Sequence, residues 1–176
     1  MQQLTYIVSG TAAAQRKAEQ AKETLDRIPH VESLLITITV PCEMPLAKAL
    51  QMKEAVRALF PEARILAHTC ALKMADLQLD TEGIMLTFTA FETSWVEFVT
   101  VEGHTPVSDA RDRIVHVVDA HPHTKAVAFV VVGLMEQLDP LLEGCSAMDE
   151  RIAVFGSFVD SPSMDAHGYL IADDVE

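Results

Sequence analysis

The chain has 176 residues, 49% of them hydrophobic, which is enough apolar material to fill a core and excludes intrinsic disorder for most of its length. Its 26 acidic residues outnumber its 13 basic ones, and the net charge of −13 argues against a nucleic-acid binder and against a peripheral role on anionic membrane. No apolar run approaches the ~20 residues of a membrane span, so no membrane insertion is expected.

Met1-Gln2-Gln3-Leu4 lacks the basic, apolar and small-residue order of a secretory signal. Cys42, Cys70 and Cys145 are an odd, widely spaced set, which reads as reduced thiols in a cytoplasmic protein.

Local pattern predicts alternating strands and helices. Residues 4–8 form a β-rich run ended by Ser9-Gly10. Thr11 is placed to cap a helix over 12–28, whose apolar positions Ala14, Ala18, Ala21, Leu25 and Ile28 recur at helical spacing before Pro29. A strand follows at 33–40. The segment 45–60 reads as an amphipathic helix through Leu46, Ala49, Leu50, Val56 and Phe60, with Lys53 on the apolar stripe. Residues 64–70 make a third strand. Residues 83–91 and 94–101 read as an antiparallel pair turning at Glu92-Thr93.

The pattern then begins again. Ser108 is placed to cap a helix that runs to Ala120, and Pro122 ends it. Residues 126–132 are so apolar and so rich in valine that both faces of this strand should be covered. A poorer helix is expected at 134–148, and strands at 151–159 and 168–172. Asp26-Arg27-Ile28-Pro29-His30 before one strand aligns without a gap on Asp119-Ala120-His121-Pro122-His123 before another. Arg64-Ile65-Leu66 is likewise echoed by Arg151-Ile152-Ala153. The fold class is therefore α/β, with α+β as the variant. It is expected to have mixed sheets with packed helices and two duplicated β-α-β-α-β-β half-units, about 1–93 and 94–176, closing into one domain.

Candidate chemistry is sparse. Seven histidines raise the question of metal, but the His116–His121 interval misses helical spacing and Pro122 breaks the helix. His121 and His123 read instead as helix C-terminal residues favoured by the dipole, and no metal site is expected. His68 and Cys70 lie two apart on a strand and share a face, which allows thiol chemistry; a buried thiol beside a satisfied histidine is the simpler reading of the pair. No Gly-rich phosphate loop occurs, and Gly144-Cys145-Ser146 does not complete a nucleophile elbow, so no cofactor is expected.

Two strand ends remain: Ala67-His68-Thr69-Cys70-Ala71 and Phe155-Gly156-Ser157-Phe158. Both follow an Arg-Ile start and carry small, hydrogen-bonding residues on apolar strands. If the halves pack face to face, these ends meet at a crevice suited to a small ligand. Thr69 and Ser157 would otherwise simply satisfy turns. The ligand-binding candidates are His68, Thr69, Cys70, Gly156 and Ser157.

The order of these elements resembles the N-terminal half of the FIST sensory domain. The resemblance is carried by 67–71, by the following Gly83-Ile84-Met85-Leu86, and by 152–157 with the terminal Gly168-Tyr169-Leu170-Ile171. The family's Gly-Cys-Ser-Thr motif faces His68-Thr69-Cys70-Ala71 here, and its later Gly-Gly faces Phe155-Gly156-Ser157, so only Gly156 and the small or polar character carry over. The resemblance implies a bacterial cytoplasmic sensor of small ligands such as amino acids, with no catalysis of its own. It also implies an output partner such as a diguanylate cyclase or a receptor module, and a chain that is either a fragment or a stand-alone relative. A homodimer is compatible with this reading. The alternatives are a protein-interaction or scaffold module, and a small hydrolase or transferase using Cys70 and His68.

Overall fold

A computed structural model describes residues 1–71, 73–75, 78–100, 107–132, 148–159 and 168–173. The chain divides into two compact units, Met1–Phe98 with Asp160–Glu176, and Val99–Val159.

The first unit begins with β1 (Gln2–Val8) and α1 (Thr11–Leu25). The helix starts one residue earlier than the sequence suggests: Gly10, at φ 81°, occupies the cap position, and Ala14 donates to its carbonyl at 3.1 Å. A positive φ favours glycine, which has no Cβ to clash. Thr11 is consequently the first helical residue and makes no capping bond. The amide of Asp26 closes the last turn on Lys22, so the helix stops short of Ile28. Ala14, Ala18 and Ala21 are fully buried, and their small side chains let α1 lie close to its neighbours.

Next come β2 (Ser33–Val40), α2 (Leu46–Leu59) and β3 (Arg64–Thr69). A short hairpin, β4 (Lys73–Ala75) with β5 (Gln78–Asp80), precedes β6 (Ile84–Phe91). The expected partner of β6 is not there. Ser94–Thr100 carries no strand, because both edges of β6 are already taken, by β1 and by β2, each antiparallel to it. Strands β2 and β3 run parallel. A final strand, β9 (Leu170–Ala172), joins β3 antiparallel and completes a mixed sheet of order β1-β6-β2-β3-β9.

The helix-facing residues of the sheet alternate with the others, as the two-residue period of a strand requires. Ile36, Ile38, Val40, Ile65, Ala67, Ile84, Leu86, Phe88 and Ala90 form the core with α1 and α2. Phe88 sits fully buried, 5.4 Å from the Phe60 ring and 6.2 Å from Tyr6, edge-on to the latter.

In the second unit α3 (Val107–Ala120) precedes β7 (Ala126–Val132) and β8 (Ala153–Val159). Ser108 lies inside α3 and bonds Asp109 instead of capping the helix. The two strands pair in parallel and in full register, from Ala126 opposite Ala153 to Val132 opposite Val159. The expected cover on both faces is incomplete: Val132, Val154 and Phe155 are 44%, 40% and 60% exposed. The helix expected at 134–148 lies almost wholly outside the described residues, as does Cys145. The described elements show a mixed α/β fold, and they do not show a second copy of the first unit's order.

Gly156 has a packing role in this pair. A side chain there would place its Cβ 2.7 Å from the carbonyl oxygen of Phe129 and 3.0 Å from the Phe129 Cβ. A backbone oxygen cannot swing aside. Gly156→Ala is therefore expected to cost about 1–3 kcal/mol and to speed amide exchange in β7 and β8. Unchanged protection in both strands would contradict it.

Candidate functional site

The carboxyl ends of β2 and β3 lie side by side because the two strands are parallel and adjacent. Cys70 extends their ladder, donating its amide to Val40 O at 2.9 Å. Pro41 ends β2, since it has no N–H to offer a neighbour, and a turn closed by Met44 N to Pro41 O (3.0 Å) leads to Pro45 and α2. One register row crosses all five strands here: Ile7, Met85, Thr39, His68 and Leu170. By alternation it lies on the sheet face away from α1 and α2, while Thr69 lies on the helix side with Ala67 and Ile65.

Polar groups are buried in this otherwise apolar place. Thr39, His68 and Thr69 are 2%, 9% and 0% exposed. His68 Nδ1 lies 3.2 Å from Thr69 O and Nε2 lies 3.3 Å from Thr39 Oγ1. A carbonyl only accepts, so Nδ1 donates, and Nε2 shares a hydrogen bond with the Thr39 hydroxyl, a group that can both donate and accept. Thr69 is bonded to Tyr169 twice: Thr69 N donates to Tyr169 O, and Tyr169 N donates to Thr69 Oγ1, both at 3.2 Å. The Tyr169 hydroxyl donates to Met44 O at 2.9 Å. Burial, with Cys42 nearby, raises the Tyr169 pKa above its ordinary value and keeps this donor protonated. Cys42 is buried and Cys70 half-exposed. Lys73 is 1% exposed and donates to Cys70 O (3.0 Å) and Thr81 O (3.1 Å), so two carbonyl dipoles replace the water it has lost.

The opposite end of β9 carries a charged clamp. The Asp173 carboxylate pairs with Arg57 and lies 3.3 Å from Lys53 Nζ, and Ile65 N donates to it at 2.5 Å. Burial alone would raise its pKa, but the bonds from Arg57, Ile65 and Lys53 outweigh that and hold it below the ordinary aspartate range. Arg57 also donates to the carbonyls of Pro61 and Ala63, closing the end of α2.

The candidate residues from the sequence fall into two groups. His68, Thr69 and Cys70 are brought together in the first unit. Gly156 and Ser157 belong to the second, opposite Phe129 and Val130. Thr39, Cys42, Tyr169, Lys73 and Asp173 were not singled out from the sequence. Lys53, a cation on an apolar helical stripe, is the feature of the sequence from which a buried anion could have been read. A groove of about 250 Å³ opens between α1 and α2, lined by Thr11, Gln15, Gln51, Met52, Val56 and four further residues, none of them from the strand-end cluster. Among the described residues no three His, Cys, Asp or Glu side chains converge as metal ligands, and no helix is long and apolar enough to cross a membrane. No family model, curated protein or solved structure matches the chain.

Proposed function

We propose that the chain is a cytoplasmic sensory domain of the FIST type that binds a small ligand and carries out no chemistry. The observation that supports this reading is the set of buried polar groups, Thr39, His68 and Thr69, at the carboxyl ends of an adjacent parallel strand pair. Open α/β sheets place their ligands outside such strand ends, and a few fixed polar groups among apolar walls are how small molecules are held. Amino acids and small carboxylates are the proposed ligand class, and an output module such as a diguanylate cyclase or a receptor is the proposed partner. Both ring nitrogens of His68 have oxygen partners, which favours a binding role over activation of the Cys70 thiol.

Ligand at ~100 times its Kd should raise stability by about 2.7 kcal/mol. For a chain of this length that is a rise of roughly 5–10 °C in Tm. The measurement is thermal unfolding of the whole chain against a panel of amino acids and small carboxylates, repeated with His68→Ala. A shift that His68→Ala abolishes supports the site. No shift from any compound, or one that survives His68→Ala undiminished, removes it.

A second reading rests on a different observation. Val132, Val154 and Phe155 are exposed on two strands that carry no charged residue. Uncharged edges of this kind favour pairing with another chain, which fits a protein-interaction module or a homodimer.

A further inference from the structure

The geometry points to β9 as a strap that opens independently of the rest of the sheet and gates the strand-end cluster; as a gate it rests on the binding role proposed for that cluster. Three observations carry the inference. The first is the unequal pairing of the sheet. The ladders β1–β6 and β2–β6 each run for seven register pairs, and β2–β3 for six, whereas β9 is held on β3 by three. Among the described residues β9 also stands at the edge of the sheet, with β3 as its strand neighbour.

The second is the kind of contact that seats it. Ile171 and Tyr169 are only half-buried against the core, so β9 is seated with less apolar burial than β2, β3 and β6, whose helix-facing residues are fully buried. Its fastenings are polar and sit at its two ends: Tyr169 on Thr69 and Met44 O, and Asp173 on Lys53, Arg57 and Ile65 N. Water can take over each of these bonds on opening, whereas it cannot replace the packing around Phe88 or Ile36. Segments with few apolar contacts and solvent-replaceable bonds are the ones that open below the global unfolding free energy.

The third is what the strap covers. Leu170 is the cross-strand neighbour of His68, and Tyr169 is bonded to Thr69 and lies beside Cys42. Lifting β9 uncovers the same side chains to which the binding role is assigned, and re-seating it encloses them.

The test uses the full chain. Amide exchange read by mass spectrometry at rising urea should show the segment 168–173 exchanging about tenfold or more faster than 84–91, with a rate nearly flat in urea where that of 84–91 climbs steeply. Cys42, buried in the closed form, should alkylate through the same opening. Tyr169→Phe, which removes the hydroxyl bond to Met44 O and keeps the ring, should raise the exchange of 168–173 and the labelling of Cys42 by one common factor. If 168–173 shares the urea slope of 84–91, or if Cys42 labelling fails to follow it, the strap is not separate and the inference falls. A strap that opens in a chain no ligand stabilises keeps the opening and removes the gate; ligand binding to a chain whose β9 never opens alone removes the strap and leaves the sensory reading intact.

Discussion

Asp173→Ala is expected to destabilise the first unit by about 3 kcal/mol, the low end of the range for breaking a buried ion pair. Removing the carboxylate strands Lys53, whose side chain is only 12% exposed, and leaves Ile65 N without its acceptor. Arg57 suffers less, because the carbonyls of Pro61 and Ala63 still accept from it. The loss is also bounded: once it exceeds the free energy of seating β9, the strand lifts and Lys53 regains water. Urea unfolding followed by amide exchange in β2, β3 and β6 reads this unit directly. A loss below about 1 kcal/mol would show that the clamp holds nothing, since exposed ion pairs contribute no more than that.

The same pair sets the acid limb of stability. The Asp173 pKa is lower in the folded than in the unfolded chain, so its contribution is fully present above the ordinary aspartate range. It is lost as pH falls through that range toward the depressed folded value. Asp173→Ala should therefore lie parallel to the native chain near neutrality and converge on it in acid. Two curves that stay equally separated at all pH values would contradict the assignment.

Phe88→Ala should have the larger effect, about 3–5 kcal/mol. Phe88 is fully buried on the interior strand β6, faces the helices, and fills the space between Phe60 and Tyr6. Truncation leaves a cavity that a sheet paired on both sides cannot collapse to fill. Phe88→Leu, which retains most of the volume, should cost less than about 1.5 kcal/mol. Equal losses for the two variants in the same urea titration would show that the ring is not the packing element described.

Local order was legible in the chain because its causes are local. The burial of Ala14, Ala18, Ala21 and Leu25 on one side of α1 follows from three- and four-residue spacing. The alternation of Ile84, Leu86, Phe88 and Ala90 follows from the two-residue period of a strand. A lysine on an apolar stripe, as at Lys53, needs a partner for its charge. What spacing cannot carry is the identity of that partner, because pairing acts between residues that only the folded backbone brings together. Asp173 reaches Ile65 across 108 positions of sequence. The hairpin expected between 83–91 and 94–101 does not form for the same reason, since β1 and β2 take both edges of β6.

By itself the sequence determined the two helices of the first unit, the strands beside them and the apolar faces they bury, through periodicity and proline alone. Only the tertiary structure decided which strands are neighbours. With that choice came the row joining Thr39 to His68, the two hydrogen bonds between Tyr169 and Thr69, and the ionic clamp at Asp173. Edge pairing and buried charge are long-range interactions, so their energy is realised only when the whole sheet is assembled.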